Sequence, residues 1–481
     1  MAQESQKHRF LYVIFATVET ILFGGIFFGW SVMVFIMKDE GVFENLCPVE
    51  ISSEQETLPI KKVSVNSTEF SRQNCMARDD MFSLVFSVDS SLLYICIAIQ
   101  GLFNFKFGTR KTRILAHVQF ICGALMIGFT SIGLPWLIFP GLLLIGISGY
   151  FHMLTNIQFS YLFPRNSVIV VGILNGAIDS SGGVPQIVKL GYEAGISRQI
   201  SFFIIIAVYL ISFINTFLFL PKMFINIPFD DTQREKKKEI GVFTTVVLNN
   251  TTKNNTSPKH SSVDTVKKPK VSLKTFVLST NYITHVIWFS MLILRYLFYI
   301  NTFNLNLEQM FEQNKDQVSH YTSAFSYFLM TSCLISPLAG FLYAKSKQRY
   351  IKCESDLRRL LMPNILPMIT TSLLCIITSV LVLLDLEWTL YVNFFMFAIF
   401  RAFFFTCATG YLTALYPPKY MSPLYGGMTL VAGTFALLQY ALFQWVEKAG
   451  LMQVNQVMLV IPTLSLVHPI SQLIIVRQKY D

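Results

Sequence analysis

Apolar residues along the chain gather into twelve long stretches, separated by polar segments. The stretches cover residues 10–37, 81–103, 114–133, 135–163, 167–190, 200–220, 276–303, 320–344, 362–384, 388–410, 422–445 and 452–476. A helix that crosses about 30 Å of hydrocarbon needs about 20 mostly apolar residues, and each stretch supplies them. The runs are continuous instead of alternating over about 10 residues, so they predict helices and exclude a β-barrel. The pattern predicts an all-α polytopic membrane protein.

Two long connections interrupt this pattern, 38–80 after the first stretch and 221–275 after the sixth. The second divides the chain into an N-terminal six-helix half, 1–220, and a C-terminal six-helix half, 276–481. Residues 230–275 are rich in Lys, Thr, Ser and Asn and nearly free of aromatic residues, so we expect 221–275 to be a flexible linker.

Composition agrees with the membrane interpretation, because 53% of the residues are hydrophobic and only 14% are charged. Soluble domains carry about 25% charged residues, so an ordinary cytosolic enzyme and a disordered scaffold are excluded. The net charge of +10 is explained by sidedness and not by a nucleic-acid partner. Segment 104–113 holds four bases and no acid, whereas 38–80 holds nine acids and five bases. The positive-inside rule then places both termini and the linker in the cytoplasm, and 38–80 outside.

The outer segment 38–80 carries two features typical of the secretory route. Cys47 and Cys75 lie 28 residues apart, where an oxidising compartment would allow a disulfide, with two free thiols as the alternative. Asn66 begins the glycosylation sequence Asn-Ser-Thr. We expect a multi-pass protein of the plasma membrane, with an organelle membrane left open.

Several ionisable residues fall within the apolar stretches, where a charge is costly and usually functional. The main candidates are Glu19, Asp179, Arg295 and Arg401. A pair of Glu19 with Arg401 or Arg295 is the first pairing to test. The alternative is that such pairs only fix the helix bundle.

The fifth stretch contains the densest polar cluster. Asn175 and Asp179 are four residues apart and therefore share one helical face. Asn156 and Gln158 lie in the preceding stretch, and Tyr299 offers an aromatic platform. These groups predict a site for a small polar ligand that carries both hydrogen-bond donors and acceptors. The other expected partner of the protein is the lipid bilayer around its apolar helices.

Enzyme signatures are absent from the sequence: there is no P-loop, HExxH, Gly-x-Ser-x-Gly or CxxC. The acidic and histidine residues lack metal-ligand spacing. The sequence therefore predicts a protein that is not an enzyme and that has no cofactor and no metal site.

The helix count and the basic loop after the second stretch resemble the major facilitator superfamily, whose signature there is Gly-x-x-x-Asp-Arg-x-Gly-Arg-Lys. The positions that fit the signature, here and after the eighth stretch, are Gly101, Lys106, Gly108, Arg110, Gly340 and Lys345. The acid of the signature is replaced by Phe105 and Ala344, so the resemblance implies a gating loop with an altered charge network. Recurrence of the motif in both halves supports an internal repeat.

A closer resemblance is to the solute carrier 43 family, on Lys38-Asp39-Glu40-Gly41 and on the stretch from Asn175 to Ser181. The family has an equilibrative purine-nucleobase branch and a sodium-independent branch for large neutral amino acids. The stretch from Asn175 and the Thr155-Asn156-x-Gln158 motif resemble the nucleobase branch, whereas Leu294-Arg295 resembles the amino-acid branch. The resemblance implies facilitative uniport of purine nucleobases by alternating access. The alternatives are transport of large neutral amino acids and a non-transporting receptor or adaptor.

Overall fold

The computed structural model describes residues 8–47, 76–163, 167–223, 273–312, 314–353, 355–416 and 418–478. All regular secondary structure within these ranges is helical. Besides short helical turns and the short helix Leu273–Val277, the described ranges contain twelve long segments: α1 (Arg9–Asp39), α2 (Met76–Phe107), α3 (Thr109–Phe129), α4 (Ile138–Asn156), α5a (Ser167–Ser180) with α5b (Val184–Glu193), α6 (Arg198–Phe219), α7 (Thr280–Met310), α8a (Lys315–Met330) with α8b (Ser332–Tyr350), α9 (Asp356–Leu383), α10 (Glu387–Leu415), α11 (Pro423–Ala449) and α12 (Leu451–Val476).

These segments confirm the all-α polytopic fold that the apolar pattern predicts. Ten of them, among the described residues, are long and apolar enough to cross a membrane, and the bent pair α8a–α8b makes an eleventh. The broken segment α5 covers 167–193, about 40 Å at 1.5 Å per residue. Helix α2 begins at Met76, before the predicted residue 81. The carboxylate of Asp79 in its first turn forms an ion pair with the Lys38 ammonium at 2.6 Å. Hydropathy does not detect such a polar turn.

The bundle has two ends, because successive helices alternate in direction. We call the end that holds residues 8 and 476 the terminal face, and the end that holds residues 39–47 and 194–197 the loop face. We refer to helices α1–α6 as the N-terminal half and to helices α7–α12 as the C-terminal half. The division of the chain into these halves and a linker stays a prediction, because residues 224–272 lie outside the described part.

Both α1 and α5 are interrupted near the middle of the bundle, and their interruptions pack together. The breaks are 3-10 turns at Ile26–Gly29 and Ser181–Gly183. The Gly25 N–H donates to the Ser181 hydroxyl at 2.8 Å, which provides a partner for an amide at the break. A Cβ at Gly25 would overlap the carbonyl oxygen of Ile178, so the contact requires glycine. This contact brings Phe28 of α1 beside α5.

The two halves meet where α2 packs on α11 and α5 packs on α8. A Cβ at Gly176 or Gly433 would lie 2.7 Å from a backbone carbonyl of the opposite half, so small residues permit the close approach. Helix α8 bends by 44° between α8a and α8b. At this bend the Ser180 hydroxyl donates to the Met330 carbonyl at 2.7 Å and accepts from the Cys333 N–H at 2.8 Å. Ser180 of the N-terminal half is thus hydrogen-bonded to the bend of α8 in the C-terminal half.

Candidate functional site

A buried ion pair joins the two halves at the centre of the bundle. The Arg401 Nε of α10 donates to the Asp179 Oδ1 of α5a at 2.7 Å, and the two side chains are 0% and 1% exposed. The predicted pairing of Glu19 with Arg401 or Arg295 is therefore wrong. The carboxylate beside Arg401 is Asp179 of α5a, and the contact of Arg401 with α1 is made through the ring of Phe28.

Three of the five charged-group nitrogen and oxygen atoms of this pair have no partner among the described residues. Arg401 Nη1 and Nη2 and Asp179 Oδ2 are buried and have no partner among the described residues. The same is true of the Tyr296 hydroxyl on α7. Buried polar groups without partners are costly, so these atoms indicate a place where a polar ligand forms the missing bonds.

Aromatic rings enclose the guanidinium of Arg401. Its Cζ lies 4.2 Å from the ring centroid of Phe28 and 5.3 Å from that of Tyr296. The Tyr296 ring also stacks on Phe397 at 5.6 Å, and Phe405 meets it edge-on at 5.9 Å. Such a surround favours a flat ligand that stacks on rings while one of its edges bonds to charged groups.

Asn175 lies one turn before Asp179 on α5a, as their spacing predicts. It is 2% exposed, and its Nδ2 has no partner in the described structure. The amide therefore adds an unused donor on the face of α5a that carries Asp179. Whether it binds a ligand stays a prediction.

Glu19 belongs to a different polar cluster, inside the N-terminal half. It forms an ion pair with Arg113 of α3, and Asn156 Nδ2 donates to Glu19 Oε2 at 2.8 Å. Arg113 Nη1 in turn donates to Asn156 Oδ1 at 3.1 Å. Glu19 and Asn156 are thus held within one half and do not join Asp179. Sequence reasoning counted Arg113 as part of a basic loop, although it directly precedes the third apolar stretch.

Gln158 is also separate from the central pair. Its Nε2 donates to the Thr109 hydroxyl at 2.8 Å, where α3 begins at the terminal face. Its grouping with Asp179 in one site is therefore not found in the structure. The sequence places Gln158 only two residues after Asn156, which suggests one site, but α4 ends between them and the chain turns into a 3-10 segment.

Arg295 and Tyr299 lie on one face of α7 that is directed into the C-terminal half. Arg295 Nε donates to the Ser379 hydroxyl of α9 at 2.9 Å. The Tyr299 hydroxyl accepts from Asn393 Nδ2 of α10 at 3.1 Å. Neither forms a recorded bond with Arg401 in the described ranges. The residue of α7 that does contact Arg401 is Tyr296, which sequence reasoning missed because a lone tyrosine in an apolar stretch carries no pattern.

The proposed gating residues lie at the terminal face, except for two glycines within helices. Gly101 is in α2 and Gly340 is buried in α8b. Gly108 joins α2 to α3 with a φ of +83°, which favours glycine. The Arg110 guanidinium donates to the Phe217 carbonyl at 3.3 Å, whereas Lys106 and Lys345 are exposed. Their gating role stays a prediction.

Two sequence predictions fall outside the described residues. Cys75, the predicted partner of Cys47, and the glycosylation candidate Asn66 both belong to 48–75. The disulfide and the glycan therefore stay predictions. No three His, Cys, Asp or Glu residues in the described ranges gather into a group that could hold a metal ion.

Comparison with known proteins yields full-length relatives, although no protein-family model matches the chain. Equilibrative nucleobase transporter 1 of Bos taurus is 26% identical, over 98% of this chain and 96% of the relative. The human large neutral amino acids transporter small subunit 3 is 22% identical, over 92% and 88%. Both branches of the predicted resemblance are therefore found among its relatives.

A solved structure supplies the fold. The crystal structure of the human organic anion transporter MFSD10 (TETRAN) matches with a TM-score of 0.56 and 12% identity, over 94% of this chain and 99% of that one. This likeness confirms the predicted fold of the major facilitator superfamily. The chain is similar over nearly its full length to an equilibrative nucleobase transporter and to a large neutral amino acids transporter subunit, and it has the fold of a major facilitator transporter.

Proposed function

We propose that this protein is a facilitative, sodium-independent uniporter of purine nucleobases that works by alternating access. The nucleobase transporter of Bos taurus is similar over nearly the full length of both chains. In this proposal the two halves rock about the Asp179–Arg401 pair, which lies where α5a meets α10. The protein resides in the plasma membrane, with both termini cytoplasmic.

The observation that carries the proposal is the set of unused atoms on the central ion pair. Arg401 has two free nitrogens, and Asp179 has one free oxygen. Purines carry ring nitrogens, exocyclic groups and N–H donors in one plane. Arginine donates two parallel hydrogen bonds to the O6 and N7 atoms of guanine, and such a pair discriminates against a wrong base by about 1–3 kcal/mol. The ring faces of the purine would meet Phe28 and Tyr296.

Transport of large neutral amino acids is the second candidate, because the human relative of that name also spans most of the chain. An amino acid needs one clamp for its carboxylate and another for its ammonium group. Arg295 and Glu19, two of the candidate charges in the apolar stretches, would be natural partners for these two groups. Glu19 is instead held by Arg113 in the N-terminal half, and Arg295 lies in the C-terminal half. This separation favours the nucleobase. No observation supports a non-transporting receptor.

The experiment is an uptake comparison in cells that contain little nucleobase or amino-acid transport of their own. Cells expressing the protein are given labelled adenine, guanine or leucine, with sodium present or replaced. We expect saturable uptake of adenine and guanine that is independent of sodium. Leucine uptake without purine uptake would establish the second candidate, and uptake of neither would contradict both. Arg401→Met, matched for surface expression, should abolish the uptake.

A further inference from the structure

Five arginine side chains are buried in the described part of the protein, and four of them lie beside acids. Arg113, Arg198 and Arg401 form ion pairs with Glu19, Glu40 and Asp179, and Arg78 interacts electrostatically with Asp79, Glu308 and Glu44. Arg295 differs, because it has no ion pair within the described ranges. The titratable groups that act on it are the thiol of Cys375 and the phenol of Tyr299, neither of them a carboxylate.

The guanidinium of Arg295 is enclosed but incompletely bonded. The residue is 3% exposed, and its buried Nη1 has no partner in the described part of the chain. The Ser379 hydroxyl accepts from Arg295 Nε and donates to the carbonyl of Cys375 at 2.8 Å, so it is already used. A full positive charge at this depth is unfavourable unless an anion lies against it.

A second unused polar atom lies on the same side of α7. Tyr299 follows Arg295 by one turn and shares its face. Asn393 of α10 donates to the Tyr299 hydroxyl, and its own Oδ1 is buried without a partner. Rotation of this amide by 180° would let the Tyr299 hydroxyl donate to Oδ1 and would release Nδ2 as a donor. The groups around Arg295 would then offer donors, as an anion requires.

We infer that Arg295, with Asn393 and Tyr299, forms the seat of a small monovalent inorganic anion, such as chloride, inside the C-terminal half. The surroundings are closed to solvent, because Cys375, which acts on Arg295, is 1% exposed, and Phe397, which packs on Tyr299 with ring centroids 4.4 Å apart, is 2% exposed. The seat lies among α7, α9 and α10. It differs from the Asp179–Arg401 site, because Tyr296, and not Arg295, is the residue of α7 directed toward Arg401.

The test measures the thermal stability of the purified full-length protein. Chloride is exchanged completely for gluconate, a much larger anion, and sodium chloride or bromide is then titrated back at constant ionic strength. A ligand of the native state raises Tm in a saturable way, and we expect a rise of about 2 °C. Arg295→Gln should lose this rise. Lys315→Gln, which removes a charge at the exposed loop face, should keep it.

The outcomes separate the possible sources of the anion. Absence of a halide effect on the wild type, or its persistence in Arg295→Gln, would overturn the inference. A rise with leucine but not with chloride would assign the guanidinium to a substrate carboxylate and would also overturn it. If Arg295→Gln does not fold, anomalous scattering from bromide in wild-type crystals decides, because a peak beside Arg295 supports the seat and an empty site refutes it. Purine uptake is measured separately, so either proposal can fail alone.

Discussion

The central ion pair allows a prediction in which stability and transport respond differently. Asp179 and Arg401 are 1% and 0% exposed, so each would be left as a buried, uncompensated charge if its partner were removed. Breaking a buried pair in this way costs about 3–5 kcal/mol, whereas replacing both charges by neutral groups of similar volume is often neutral or stabilising. We expect Asp179→Asn and Arg401→Met each to destabilise the protein strongly.

The double variant should recover stability but not transport. With Asp179→Asn and Arg401→Met combined, no charge remains unpaired, so most of the lost 3–5 kcal/mol should return as a coupling energy. The unused donors of Arg401 are absent in the double variant, and purine uptake should therefore stay near background. Stability is followed by thermal unfolding of the purified protein, and uptake by labelled adenine in cells with matched surface expression.

Two results would refute this reasoning. A double variant no more stable than the single variants would mean that the two charges do not compensate each other in the folded state. Wild-type adenine uptake by a stable double variant would mean that the pair is a structural tie and not part of the ligand site. A conservative Arg401→Lys variant, assayed with labelled guanine, adds a control, since it keeps the charge but loses the planar pair of donors that the O6 and N7 acceptors of guanine need.

Three further predictions address the rest of the bundle. Glu19→Gln should lower Tm, because it leaves the buried charge of Arg113 without its acid. The KM for adenine of the folded protein should be unchanged. A changed KM with a normal Tm would place Glu19 in the substrate site. Lys38→Met removes the ammonium that binds Glu308 of the opposite half at 2.8 Å. The two halves should then separate more readily at the loop face, so a cysteine introduced there should react faster with an impermeant maleimide. An unchanged rate would show that this ion pair does not hold the loop face closed. Gly25→Val should abolish surface expression because its side chain would overlap α5, whereas Gly133→Val, with open space around the position, should be expressed normally; equal expression of both would refute the packing argument.

The fold could be predicted from sequence because its main cause is local. An apolar stretch of about 20 residues predicts a membrane-spanning helix from its own hydropathy, without knowledge of its neighbours. Helices α1–α12 lie where those stretches predict them. The breaks in α1 and α5 could be anticipated only as glycine-rich positions. The contact between the two breaks depends on how the helices cross, since the Gly25 N–H donates to the hydroxyl of Ser181, more than 150 residues away in the sequence.

The pairing of the buried charges could not be predicted, because it depends on the rotation of each helix about its axis and on its neighbours. Hydropathy places Glu19 and Arg401 within the membrane but does not show that one faces α3 and the other faces α5a. Arg113 follows other bases in the sequence, which indicates a loop. In the structure it lies one turn into α3, inside the bundle, where its charge is neutralised by Glu19. The same logic isolates Arg295, because each of the other arginines buried in the described structure lies beside an acid. A charge that the fold leaves uncompensated is therefore a stronger indication of a binding site than its presence in an apolar stretch.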